Sequence, residues 1–288
     1  MTMPNFLVIG APKAGTTTLY QYLNQHPQVY MSPIKEPRFF CNDIKSVDLN
    51  NYSALFKGVT SEIAIGEASP QYLFNPIAPE QIHHYLPNAK LIAILRDPAE
   101  RAYSDYIMRH YLMRRRTKVP GSNEQEIVAE VAKITQDGWI VNTGYYSTLL
   151  QRYFDLFERE KIRVYLFEDL KSNPDALMAD IFQFIGVDEN HTIDYSVSVY
   201  NKSGIPKNEA FYNLINNFRI LSNKKLLPLL PEILYNNLYK IYVNLRNRNL
   251  AKAPKLPIEI RQQLIEVYRE EILQLQDLLK RDLSEWLK

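Results

Sequence analysis

The chain has 288 residues, of which 46% are hydrophobic and 23% charged, and carries a formal net charge of +2 at pH 7. This composition excludes disordered and fibrous classes, and the length suits one large α/β domain with a substantial buried core. So small a net charge gives no ground for a nucleic-acid partner, and any basic surface must be local.

In chain order, "MTMPN" runs directly into strand-like "NFLVIG" with no apolar signal segment, and no run approaches the ~18 apolar residues of a spanning helix. Cys41 is the single cysteine and has no internal partner. Together these features predict a reducing, cytoplasmic compartment. After a glycine turn, "TTTLYQYLNQHP" places Leu19, Tyr20 and Leu23 at helical spacing. A second strand runs into "YMSPIK". "EIAIGEAS", "AKLIAILRDP" and "KIRVYLFEDL" have the continuous apolar character of parallel strands covered on both faces. Between and after them, "IAPEQIHHYLP", "AERAYSDYIMRHYLM", "YYSTLLQRYFDLFER" and "NPDALMADIFQFIGV" read as helices, the last ending at Gly186.

This alternation predicts an α/β fold, a P-loop-like doubly wound parallel sheet flanked by helices, with ligands outside the carboxyl ends of the strands. The whole chain reads as one domain: a core to about residue 206, a helical insert over 207–255, and a C-terminal helix over 257–288 that packs back on the core. The insert carries nine cations against Glu209 and Glu232, a local excess of seven. Phe211, Tyr212, Phe218, Tyr235, Tyr239 and Tyr242 are interleaved with them. A second basic stretch is "RHYLMRRRTK", Arg109 to Lys118.

The chemistry starts at "GAPKAGTTT". Gly10 and Gly15 keep the G-x-x-x-x-G spacing of a phosphate loop between a buried strand and a helix, where backbone N–H groups meet the positive end of the helix dipole. An NTPase, however, needs a lysine after the second glycine and an acidic residue for Mg²⁺. Thr16 follows Gly15, the lysine is Lys13 at mid-loop, and the only strand ending in an aspartate does so at Asp97, before a proline and beside an arginine. A donor that reacts without Mg²⁺ removes the need for both.

At these residues the chain resembles a known family. "PKAGTTTL" is similar to the 5′-phosphosulfate loop of sulfotransferases that use 3′-phosphoadenosine 5′-phosphosulfate (PAPS), and "LRDPAERAYSDY" is similar to their 3′-phosphate motif. "KEPRFF", "GEASPQYLF", "YLFEDL", "NKSGIPKN" and "DLSEW" extend the likeness over most of the chain outside 207–255. "KEPRFF" and the "ILRDPAERAYSDY" form bring it nearest the heparan-sulfate-type carbohydrate sulfotransferases.

The resemblance implies PAPS as sulfate donor, with no metal. Lys13 would stabilise the bridging oxygen of the leaving bisphosphate, while Ala14, Gly15, Thr16, Thr17 and Thr18 hold the 5′-phosphate and sulfate oxygens. Arg96 and Ser104 would clamp the 3′-phosphate, and Lys202, Ser203 and Gly204 belong to a late loop that closes over the donor. Glu36, a carboxylate expected to have a moderately raised pKa, matches the catalytic base. Lys35, Arg38, Glu67, Ser69 and Pro70 are expected beside the acceptor. Arg101 and the five histidines read as structural or surface residues.

The implied acceptor is a hydroxyl, or less readily an amine, of a carbohydrate-containing molecule. A lipid or small alcohol is the alternative, with the basic insert resting on anionic membrane as a peripheral contact. Simple packing of the insert over the core is the third reading of that segment. A P-loop kinase and a non-catalytic nucleotide- or polyanion-binding module stay open as readings of other classes.

Overall fold

The computed structural model describes residues 1–42, 48–117, 133–195, 204–208, 210–212, 214–215, 241–242, 244–252 and 255–288; for 110–117, 204–206 and 252 only the backbone is described. Five parallel strands form the central sheet: β1 (Phe6–Gly10), β2 (Val29–Met31), β3 (Ala64–Ala68), β4 (Lys90–Leu95) and β5 (Ile162–Leu166). Their order across the sheet is β2-β3-β1-β4-β5. The chain leaves β1 toward one edge and leaves β4 toward the other. The crevice between their carboxyl ends is therefore the switch point at which such sheets bind ligands. Every residue of β1 is buried, and in β4 only Lys90 is partly exposed, which explains the unbroken apolar runs.

Helix α1 (Thr16–Leu23) follows β1. Gly15 makes the turn into it at φ +93°, and a Cβ there would come within 3.0 Å of Phe167 and Leu170. Only glycine fits both the angle and the space. After β3 the chain keeps pairing with the end of β1, through Ser69 N to Val8 O (3.1 Å) and Leu73 N to Ile9 O (2.8 Å). That path presses Leu73 against Gly10, where a Cβ would lie 2.5 Å away. It carries residues 69–74 to the mouth of the crevice.

Helix α2 (Leu49–Ser53) and helix α3 (Ala78–Tyr85) precede β4, and the long helix α4 (Pro98–Thr117) leaves it. Asp97 caps α4 by accepting from the N–H groups of Ala99 (2.9 Å) and Glu100 (3.2 Å). Among the described residues, helices α5 (Gly138–Asn142) and α6 (Tyr146–Phe154) lie between α4 and β5. The apolar run of "KIRVYLFEDL" ends as a strand at Leu166, earlier than its composition suggests, because Asp169 accepts from Leu166 N (3.0 Å) and starts the short helix α7 (Phe167–Ser172). Asn173 then caps α8 (Pro174–Ile185), and Gly186 closes it at φ +86°.

The tail forms α9 (Ile258–Leu279), burying Ile260, Leu264, Ile265, Tyr268, Ile272 and Leu275 as one stripe. It packs on α4 and α6. Its Glu271 accepts from Ser147 N (3.0 Å) and Thr148 N (3.3 Å), satisfying donors that α6 leaves open at its start. Buried Arg101 is a bolt between elements: its Nη2 donates to Ile140 O of α5 and lies 3.4 Å from the Tyr268 hydroxyl of α9.

The insert is not helical throughout. Its base is an antiparallel strand pair, β6 (Gly204–Pro206) with β7 (Leu250–Lys252), in the register Gly204↔Lys252. Asn249 fastens the pair by donating its side-chain amide to Asn208 O (2.8 Å) and accepting from Asn208 N (3.1 Å). Phe218, Tyr235 and Tyr239 lie outside the described residues.

Candidate active site

The two loops expected to carry the chemistry lie at the switch point, and both use backbone that side-chain-bearing residues seldom adopt. Lys13 (φ +67°), Glu36 (φ +62°) and Arg38 (φ +56°) are three of the four non-glycine residues in the left-handed region among the described residues. Each such residue costs on the order of 1–2 kcal/mol, and such strain collects where side chains must be aimed.

The first loop joins β1 to α1. Ala14 and Thr16 are buried, while Lys13, Gly15, Thr17 and Thr18 are partly exposed. No side chain caps α1 and its first turn holds no acidic residue. The first N–H groups of a helix have no partner within it, so this end offers donors and a positive dipole to an anion. Lys13 stands half-buried with its Nζ 3.4 Å from the Met108 sulfur on α4. Burial lowers its pKa below the ordinary lysine value; Asp105 opposes this, and the charges of Arg96 and Arg246 add to it.

Arg96 leaves the end of β4 and lies across the loop. Its guanidinium donates to Lys13 O (3.4 Å) and to Glu100 (3.0 Å), over the face of Phe167 at 5.2 Å. Ser104 is buried two turns along α4. Asp97 is committed elsewhere: beyond its cap it bridges Arg261 of α9 at 2.8 Å.

The second loop follows β2. Glu36 N donates to Ala68 O (3.1 Å), and Arg38 N donates to Ser69 Oγ (3.0 Å), docking this loop on the end of β3. The Glu36 carboxylate receives Lys35 Nζ (2.7 Å), an Arg38 guanidinium N–H (2.8 Å) and the Gln71 side-chain amide (3.1 Å). Burial acts to raise its pKa, yet the Lys35 charge and the Arg38, Lys35 and Gln71 hydrogen bonds outweigh it and hold the group down to about 2. The moderately raised pKa expected from the sequence is thereby corrected: before an acceptor arrives, Glu36 is a clamped carboxylate, and Lys35 and Arg38 are its clamps.

Glu67, Ser69 and Pro70, all three expected beside the acceptor, are buried, and Ser69 Oγ accepts from Arg38 N at the base of the Glu36 loop. Glu67 accepts from Tyr72 OH (2.5 Å), Ser69 Oγ (2.8 Å) and Tyr52 OH (3.3 Å). Burial nevertheless raises its pKa to about 7. An acid shifted upward stabilises the fold fully below its ordinary value of 4.5 and loses that contribution as pH rises through 7. The stability of the wild type against thermal unfolding is expected to fall between pH 5 and pH 8 by on the order of 3 kcal/mol from this group. Glu67→Gln should flatten that slope, and an unchanged slope would remove the assignment.

His26 and His83 have partners away from both loops. His26 accepts from Gln28 N at Nδ1 (3.0 Å), so its Nε2 carries the proton and donates to Asp188 O (2.9 Å). His83 packs edge-on against Phe157, and the side chain of His110 lies outside the described residues. Lys202 and Ser203 also lie outside them, and Gly204 opens β6. Among the described residues no group of three or more His, Cys, Asp or Glu could hold a metal ion, and no helix is long and apolar enough to cross a membrane. Gln71, Asp105 and Arg246 are additions that the sequence reading missed. The first two sit inside recognised motifs, where spacing could have suggested them; Arg246 was read only as one of the nine cations of the insert.

The chain belongs to the sulfotransferase family: the Sulfotransferase domain model matches residues 3–222. By family it is a transferase. It is 27% identical over 218 residues to the mouse bifunctional heparan sulfate N-deacetylase/N-sulfotransferase 4, covering 70% of this chain and 24% of that protein. Human carbohydrate sulfotransferase 15 is 25% identical over 251 residues, covering 64% and 44%. The membrane-associated sulfotransferase kil1 of Dictyostelium discoideum is 42% identical over 109 residues, covering 37% and 23%. The chain thus spans less than half the length of these relatives. A sulfotransferase crystal structure from Alicyclobacillus acidocaldarius is similar over 100% of both chains, with a TM-score of 0.69 and 25% identity.

Proposed function

We propose that this protein transfers a sulfuryl group from PAPS, in line, to a hydroxyl of a carbohydrate-containing acceptor. The observation that carries the reading is the uncapped N-terminus of α1 with Lys13 at the centre of its loop. Gly15, at φ +93° and against Phe167 and Leu170, leaves no room for a side chain where the loop turns its backbone N–H groups into the helix N-terminus. A bond forms from sulfur to the acceptor oxygen as the sulfur–oxygen bond to the 5′-phosphate breaks. The hydroxyl proton passes to Glu36, and the charge growing on the leaving bisphosphate is met by Lys13. The relatives whose names refer to heparan sulfate and carbohydrate support a sugar acceptor. A cytoplasmic location with peripheral membrane contact through the basic insert belongs to the same proposal, and fractionation of expressing cells tests it.

Calorimetry with 3′,5′-bisphosphoadenosine, PAPS and ATP, with and without Mg²⁺, tests the donor. Binding of the first two without Mg²⁺ is expected; absence of both binding and PAPS turnover would sink the reading, and Mg²⁺-dependent ATP binding would favour a kinase. Arg96→Ala should weaken the bisphosphate about ten- to hundredfold while leaving 5′-AMP nearly unaffected, as expected for loss of a charged hydrogen-bond donor to the 3′-phosphate. Equal losses for both nucleotides would remove Arg96 from that role.

A further inference from the structure

Trp139 opens α5 with 51% of its surface exposed, whereas the other tryptophan of the chain, Trp286, is 4% exposed. An indole left so open is held firmly. Phe74 meets it edge-on at 4.8 Å and 78°, and the Arg109 guanidinium lies 5.2 Å from its ring centre. Each neighbour is fixed in turn. Arg152 donates to Leu73 O (2.8 Å) and Asn75 O (3.1 Å) on either side of Phe74. Asp105 accepts from Arg109 at 3.1 Å, and Trp139 O accepts from Thr143 Oγ1 at 2.7 Å.

The platform is connected along the chain to both halves of the reacting centre. On one side Arg109 follows Met108, whose sulfur meets Lys13, and it pairs with Asp105, whose charge acts on Lys13. On the other, Phe74 lies three residues beyond Gln71, the amide that holds Glu36. A rigid indole face next to a guanidinium suits one kind of ligand: a pyranose whose C–H face stacks on the ring while an acidic substituent meets the cation. The cation that meets the indole is Arg109.

Resting on the carbohydrate reading above, we infer that Trp139, Arg109 and Phe74 form an acceptor subsite that takes an anionic pyranose adjoining the sugar to be sulfated.

The test uses the whole protein saturated with 3′,5′-bisphosphoadenosine and, as probe, an unsulfated octasaccharide of alternating glucuronate and N-acetylglucosamine, with its carboxyl-reduced form as the neutral control. Trp139 dominates the solvent-sensitive fluorescence, so binding should shift the emission, and Trp139→Phe should abolish that shift while keeping affinity within about threefold by calorimetry. Trp139→Ala should weaken the octasaccharide about tenfold with unchanged bisphosphate affinity, and Arg109→Gln should erase the preference for the acidic over the reduced form. Sulfation of the sugar with wild-type affinity in Trp139→Ala overturns the subsite alone. Turnover of simple alcohols with no sugar bound or sulfated overturns the subsite and the carbohydrate reading together.

Discussion

Lys13→Ala is expected to lower kcat by about 10²- to 10³-fold while the protein stays folded and still binds 3′,5′-bisphosphoadenosine. The size follows from where the ammonium stands. It is half-buried at the centre of a loop whose backbone donors would hold the phosphate of the proposed donor, so its own contribution would fall on charge that grows only as the donor breaks. The fold should tolerate the change. Lys13 already occupies φ +67°, so alanine adds no new backbone strain, and loss of a cation close to Arg96 and Arg246 relieves some repulsion. Desolvation lowers the lysine pKa, so activity should decline on the alkaline side at a pH below 10.5, and Lys13→Arg should move that limb upward. Single-turnover rates beside bisphosphate affinity decide the matter. Full-rate turnover in the alanine variant would place the developing charge elsewhere.

Glu36→Gln is expected to cost about 10²- to 10⁴-fold in turnover, the range of a lost general base. With a pKa of about 2 the free carboxylate is ionised throughout the working range, so the acid limb of kcat/KM should lie well below pH 5. So acidic a group is a weak base while Lys35 and Arg38 hold it. An acceptor that draws either cation away raises its proton affinity at the moment the hydroxyl must ionise. Lys35→Ala or Arg38→Ala should therefore move the acid limb toward the ordinary 4.5. The linkage has the opposite sign to that of Glu67: stability from the clamp is present above 4.5 and is lost as pH falls toward 2. An unmoved limb in both variants, or full activity in Glu36→Gln, would assign the proton to another group.

How much of this was readable in advance depended on how local the signal was. The strand–loop–helix at Phe6–Leu23 was legible because burial on both faces demands a continuous apolar run and the turn demands glycine at φ +93°. The α9 stripe was legible for a similar reason, since 22 residues of helical period leave one face to bury. The clamp on Glu36 was not. Lys35 and Arg38 are its neighbours in sequence, but their convergence needs Glu36 and Arg38 at positive φ and Gln71 delivered from another loop. Glu67 misled for a related reason: a carboxylate at the end of a strand reads as exposed, and only the hydroxyls of Tyr52, Ser69 and Tyr72 converging on it allow it to be buried.

The sequence by itself determined the α/β class, the strand order along the chain, the glycine loop with its displaced lysine, and so the family. Those features are short-range, set by residue type and spacing. Tertiary structure alone decided the charge state of Glu36, the interior place of Glu67, the β6–β7 base of the insert and the open indole of Trp139. Each depends on the distance and solvation between groups far apart in the chain, which packing fixes and residue order does not.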